Sequence, residues 1–263
     1  TSLRTVTGVQ TCALPIWVSA SLASGLSAPL SAGLGGWRPG LAVWVVPTLL
    51  ALGLWLVLSR RTDEAPADAT TAVPPAPPPW RSALAWQVTG FFGLQSLSFY
   101  LMVTWLPTMA ADLGYGPAEA GWLLFWFQVV GVVVGPVTAW WADRLPDQRV
   151  LCAAAGLLMA VAALGALAAP GLLWLWVTLA GCSAGGAFAL ALALAPLRTR
   201  TPADTVRLSG MAQSVGYLIA AAGPVVAGWL AAATNWGVVV AAVGVLALAQ
   251  AGLGSLAGRA GRP

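Results

Sequence analysis

The chain contains no lysine and no histidine, so its twelve basic residues are all arginine. Only 8% of its 263 residues are charged, against 59% hydrophobic. A soluble domain draws about a quarter of its residues from Asp, Glu, Lys and Arg. This set cannot cover a water-exposed surface. Without histidine there is no imidazole for a catalytic triad, a zinc site or a proton relay. Cys12, Cys152 and Cys182 have no spacing that suits a disulfide framework or a metal site. Cys152 and Cys182 lie in apolar runs and read as small core hydrophobes. The acidic residues stand alone or in short loop pairs. A membrane prenyl or acyl transferase needs a carboxylate cluster or a His/Ser constellation, and neither is present. These absences exclude an enzyme, a disulfide-rich secreted domain, a disordered chain and most nucleic-acid binders. No cofactor and no metal are called for.

What the chain has in abundance is long apolar runs, with a mean hydropathy of +0.83. A membrane-spanning helix needs about 20 apolar residues. Runs of that kind predict helices over 18–35, 39–59, 83–109, 117–141, 150–169, 172–196, 207–233 and 236–257. The fold class expected is an all-α membrane protein with about eight transmembrane helices. Segment 60–82 is polar, carries Arg60, Arg61 and Arg81, and is rich in proline from Pro66 to Pro79. It reads as an extended linker.

Arginine supports this count. Leaving Arg4 aside, ten arginines fall in the connections on one side of the eight helices, and only Arg38 on the other. The positive-inside rule then makes the ten-arginine side cytoplasmic. Trp37, Trp105, Trp122, Trp174 and Trp236 fall near the opposite ends of the helices, and Trp80 and Trp140 near the arginine-rich ends. That is the distribution of interfacial aromatic belts. A weak repeat links Pro29-Leu-Ser-Ala-Gly33 with Pro224-Val-Val-Ala-Gly228, six helices apart and in the same sense. Parallel repetition every six helices points to a transporter built from two six-helix halves.

Residues 6–16, Val-Thr-Gly-Val-Gln-Thr-Cys-Ala-Leu-Pro-Ile, resemble the translation of a short-read sequencing adapter. Residues 1–16 are accordingly set aside from the fold. The expectation is that the chain is the C-terminal part of a longer protein.

Four segments carry a resemblance to a known family: Pro29 to Arg38, Gln95 to Pro107, Glu119-Ala-Gly121, and Ser209 to Ile219 running on to Pro224. They resemble the major facilitator superfamily and, within it, the cyanate/nitroimidazole transporter-like group. The resemblance implies a twelve-helix parent of which this chain holds the fifth to twelfth helices. Residues 17–59 would be the last two helices of the N-terminal half, 83–257 the C-terminal half, and 258–263 a cytoplasmic tail. It implies a monomeric, multi-pass protein of the cytoplasmic membrane, partnered by a small-molecule substrate and the lipid bilayer. The segment from Ala139 to Arg149 resembles the family's loop motif after the eighth helix. Asp143 and Arg144 are in place. Ala139 and Pro146 stand where glycines are usual, and Asp147 and Gln148 where basic residues are usual. Asp143 is placed to cap a helix or pair across a cytoplasmic gate.

Polar side chains inside a membrane are costly and usually functional. Gln87, Phe91, Gln95 and Phe99 recur at a spacing of four and share one helix face, with Tyr100 beside it. Gln128 is the central amide of the next helix, and Ser209, Gln213 and Tyr217 share a face of the seventh. The candidate substrate site is therefore Gln95, Phe99, Tyr100, Gln128, Gln213 and Tyr217, with Asp143 and Arg144 as the gating motif. Amide N–H groups suit a small anion and ring faces a flat solute. For each glutamine the alternative is an interhelical hydrogen bond that only holds the bundle. The pairs Gly131/Gly135 and Gly181/Gly185 read as close-packing sites. No Asp, Glu or Arg lies at mid-membrane. A charged group for proton coupling or anion selectivity is thus expected on the helices that precede this chain.

The function expected is a secondary active transporter working by alternating access on a small solute, cyanate-like or nitroimidazole-like. A drug or metabolite efflux permease of the same superfamily, or a non-transporting membrane fragment, are the alternatives.

Overall fold

The computed structural model describes residues 2–59 and 78–259, with side chains from residue 18 onward. The linker assigned to 60–82 lies outside it except for its last five residues, as does most of the tail. Among the described residues there are nine α-helices and no strand. They are α1 (Ser2–Gly33), α2 (Trp37–Ala42), α3 (Val45–Ser59), α4 (Ala83–Asp112), α5 (Pro117–Arg144), α6 (Arg149–Ala168), α7 (Leu173–Arg198), α8 (Pro202–Ala233) and α9 (Trp236–Ala257). Helix α1 begins at Ser2, so residues 2–16 continue into it without a break.

Short connections and local caps explain the boundaries. Gly114 takes a positive φ of 89° just past α4, a left-handed stop open to glycine. Pro117 opens α5, where its missing N–H costs nothing, and Glu119 reaches back to accept from Gly116 N–H at 2.9 Å. Thr201 caps α8 by accepting from Asp204 N–H at 3.2 Å. That cap starts α8 at Pro202, five residues before the expected position. Asn235 caps α9 in the same way through Val238 N–H at 3.2 Å.

The helix expected over 39–59 is in fact two. Pro47 has no N–H, so the Val43 carbonyl lacks its usual partner four residues on. Val46 N–H takes it instead at 3.2 Å, and the chain turns at Val43 and Trp44. Beyond the turn, α3 is exposed along Val45–Leu58.

Among the described residues, six segments are long and apolar enough to cross a membrane by length and composition alone: Trp37–Leu58, Pro117–Arg144, Arg149–Ala168, Pro170–Arg198, Pro202–Ala233 and Trp236–Ala257. Helix α4, one of the eight expected from the sequence, is not among the six. The thirty residues of α4 include Gln87, Thr89, Gln95, Ser96 and Ser98, which lower its hydropathy.

Helices α4 to α9 pack chiefly in three pairs, α4 with α8, α5 with α7 and α6 with α9, and α1 lies along α5. Lipid is as apolar as leucine, so these contacts rest on close packing and not on hydrophobic expulsion. Small residues permit the approach. A Cβ at Gly181 would lie 2.6 Å from Phe127 O, and one at Gly185 would run into the Gly131 backbone. Gly135 sits against Gly185 O, at 3.5 Å from where its Cβ would be. On the α4–α8 seam, Trp105 lies over Gly228 and donates its indole N–H to Pro224 O at 2.9 Å. This tryptophan packs inward, with its ring 5.1 Å from that of Trp236. Trp37, Trp80, Trp122, Trp140 and Trp174 are exposed, as belt residues are.

Candidate functional site

Three helices bring a run of rings to one side of the bundle. Phe127 on α5 stacks on Phe99 of α4 at 5.9 Å. Phe99 meets Tyr100 edge-on at 5.5 Å. Tyr100 meets Tyr217 of α8 at 6.3 Å, and Tyr217 meets Phe92 at 5.2 Å. Such edge-to-face pairs exploit the ring quadrupole. The run starts buried, at Phe127, and comes to the surface at Tyr100 and Tyr217, which are 42% and 39% exposed. Two polar hydroxyls and several ring faces therefore share an open patch. Gln213 sits one turn before Tyr217 on α8 and is half-buried.

Of the six candidate residues, Phe99, Tyr100 and Tyr217 are thus in one cluster, with Gln213 adjoining. The other two amides are engaged elsewhere. Gln95 is buried, with its Nε2 3.5 Å from Ala184 O on α7 and its Oε1 accepting from Ser96 Oγ at 3.1 Å. Gln128 is buried at the α1 contact, donating to Ser24 Oγ at 2.6 Å and lying 3.4 Å from Ala20 O. Both make the bundle-holding hydrogen bonds weighed as the alternative. Phe92 and Phe127 were not singled out from the sequence. Phe92 stands seven residues before Phe99 on α4, a spacing that shares its face and carried the signal in the sequence. Phe127 is on another helix, and only the packing of α5 brings it in.

The loop motif adopts a different set of contacts from the Asp–Arg pair alone. Arg144 lies over the Trp140 ring, 3.6 Å from its centroid, and donates to Trp140 O at 3.2 Å. Among the described residues no hydrogen bond or ion pair reaches Asp143. Asp147 pairs with Arg149 at 3.2 Å on the surface. The buried anchor is Gln148, which stands where the family motif usually has a basic residue. Its amide donates to Ala142 O at 3.0 Å and to Leu145 O at 2.6 Å. Its Oε1 accepts from Arg198 Nη2 at 2.5 Å, while Arg198 Nε donates to Ala257 O at 2.9 Å. One guanidinium thereby joins the ends of α7 and α9 to the loop between α5 and α6. Arg198 was counted from the sequence as a topology signal, and nothing in its spacing distinguishes it from Arg200.

Two cavities lie away from the ring cluster. One, of about 510 Å³, opens at the arginine-poor end between α4, α6, α7 and α9 and is lined mainly by apolar side chains, among them Met102, Met109 and Met159. The other, of about 520 Å³, opens at the arginine-rich end. Neither contains any of the six candidates. Among the described residues no cluster of His, Cys, Asp or Glu could hold a metal.

Comparison with known proteins agrees with this architecture. Residues 88–257 match the Major Facilitator Superfamily. The chain is 36% identical over 259 residues to the 2-nitroimidazole transporter of Escherichia coli (strain K12), covering 98% of this chain and 65% of that protein. It is 37% identical over 216 residues to an uncharacterized transporter of Bacillus subtilis (strain 168), covering 81% of this chain and 53% of that one. It is 30% identical over 192 residues to the cyanate transport protein of Escherichia coli (strain K12), covering 72% and 48%. The chain thus spans about half to two-thirds of the length of these relatives. The family is one of transporters and not of enzymes, and this multi-pass membrane chain belongs to it: the Major Facilitator Superfamily, in its cyanate/nitroimidazole transporter-like group.

Proposed function

We propose that the complete protein is a secondary active transporter of the cytoplasmic membrane, moving a small flat solute by alternating access. Cyanate-like anions and nitroimidazole-like heterocycles are the candidate substrates. The observation that carries this reading is the surfacing aromatic run on α4, α5 and α8. Ring faces take a planar solute, and the Tyr100 and Tyr217 hydroxyls with the Gln213 amide supply the few polar contacts that orient it. Gln95 and Gln128 act behind this surface by fixing α4 to α7 and α5 to α1. The loop from Asp143 to Arg149 serves as the cytoplasmic gate, anchored through Gln148.

The open face of the ring cluster is the one a preceding set of helices would cover. The chain's share of its relatives' length supports that reading. This chain alone is accordingly expected not to transport. The test is to read the locus through from source DNA, express the whole frame, and measure uptake and efflux of labelled cyanate and 2-nitroimidazole in proteoliposomes. Saturable movement of either, weakened by Tyr217→Ala mainly through KM, is expected. No saturable movement of either solute would overturn the assignment. Movement of unrelated apolar drugs instead would favour an efflux permease.

A further inference from the structure

The cavity at the arginine-rich end has a composition unlike the rest of this charge-poor molecule. It is about 520 Å³ and lies between the entry to α4, the end of α7 and the first turns of α8. Among the described residues, Arg81, Arg198, Arg200 and Arg207 line it, against a single carboxylate, Asp204. Four positive charges less one negative leave a net of three. Asp204 is turned to local use: it accepts from Thr201 Oγ at 2.7 Å within the α8 cap. Arg198 is 6% exposed and held from two sides, by Ala257 O and Gln148 Oε1, so its charge is fixed in the wall. Arg200 and Arg207 also interact within the chain and bring their charge to the lining.

The depth of the mouth is marked by tryptophan. Trp80 and Trp86 are 63% and 50% exposed, and the Trp86 indole donates to Trp80 O at 2.9 Å. Exposed indoles of this kind sit at headgroup level. Pro78, Pro79, Leu84 and Leu208 add apolar surface to the same lining. Guanidinium forks match the oxygens of a phosphate, and basic pockets between helices at this level suit anionic headgroups.

We propose that this cavity binds the phosphate of an anionic phospholipid headgroup, with the acyl chains leaving into the bilayer. The inference needs only that the chain lies in a membrane and is independent of which solute the protein carries. Three net charges correspond to roughly a hundredfold preference for an anionic over a zwitterionic lipid.

The test is native mass spectrometry of the full chain, delipidated in detergent and titrated with phosphatidylglycerol or phosphatidylcholine. One phosphatidylglycerol should be retained at roughly a hundredth of the phosphatidylcholine concentration needed for the same occupancy. Arg81→Gln, Arg200→Gln and Arg207→Gln should each reduce that preference about fivefold, and the triple variant should abolish it. Arg259→Gln, outside the cavity, should leave it intact. The single variants, checked by melting temperature, decide the matter if the triple variant does not fold. A parallel titration with inorganic phosphate distinguishes the sources. Phosphate that competes only weakly marks a lipid site. Phosphate that binds as tightly as the lipid would overturn the lipid assignment in favour of a soluble oxyanion. Equal retention of both lipids, or retention undiminished in every variant, would overturn the site itself.

Discussion

The Gln128–Ser24 hydrogen bond ties α5 to α1, and its removal should be measurable. The amide donates to Ser24 Oγ at 2.6 Å. The serine hydroxyl in turn donates to Ala20 O at 2.8 Å. When Gln128→Leu removes the amide, Ser24 keeps that carbonyl. When Ser24→Ala removes the hydroxyl, Gln128 keeps only Ala20 O at 3.4 Å. Leucine nearly matches glutamine in volume, so little cavity cost is added. Hydrogen bonds between transmembrane helices average about 0.6 kcal/mol and reach about 1.7. The short contact places this one near the upper half, at about 1 to 1.5 kcal/mol. Each single variant should lose about that much, and the double variant scarcely more, since both delete one bond. The assay is reversible unfolding in mixed micelles, run as a double-mutant cycle. A loss of that size lowers the melting temperature by about 2–4 °C per kcal/mol for a chain of this length. Losses that add to within about 0.3 kcal/mol would refute the contact.

Other outcomes follow from features already described. Gly185→Leu should force α5 and α7 apart, because the new side chain meets the Gly131 backbone; a loss of about 1–3 kcal/mol is expected in the same unfolding assay. Arg198→Lys should not replace arginine, since a single ammonium cannot hold Ala257 O and Gln148 Oε1 in their present directions. Faster proteolysis in the Leu145–Gln148 loop would report the loss, and wild-type protection would argue against the anchor. Pro47→Ala restores a donor for the Val43 carbonyl. Slower hydrogen exchange across residues 43–47 is then expected, and unchanged exchange would mean that the break has another cause.

Much of the fold could be read from residue order. Apolar run lengths located α4 to α9 to within a few residues, because each is bounded by a proline, a glycine or a capping side chain. The close-packing role of Gly131, Gly135, Gly181 and Gly185 was legible from their spacing of four. The break before Pro47 was readable in principle, since the missing donor is local, but the run of apolar residues through it masked the signal. The site was only partly legible. A spacing of four put Gln95 and Phe99 on one stripe, yet a stripe does not say which neighbour it meets. Gln95 turns to α7 while Phe99 turns to α5, a division set by packing between helices. Gln148 was hidden for a different reason. In sequence it marks a departure from a basic motif, and only the arrival of Arg198 from fifty residues away gives that departure a use.

Where α5 and α7 cross at Gly131 and Gly185, main chain meets main chain with no side chain between. Such a contact has no rotamers to rearrange and no room to slide, so the two helices behave as one beam. The boundary between α5 and α1 is less tight: a Cβ at Gly121 would lie 3.2 Å from Ser24 O, and the seam also carries an amide and a hydroxyl that can part and re-form with little change in volume. Any rocking of one set of helices against another is therefore cheaper along α1 than within the α5–α7 pair. The tightness of the glycine contacts, greater at Gly185 than at Gly121, thus separates the parts of the molecule that must travel together from the seam along which they can part.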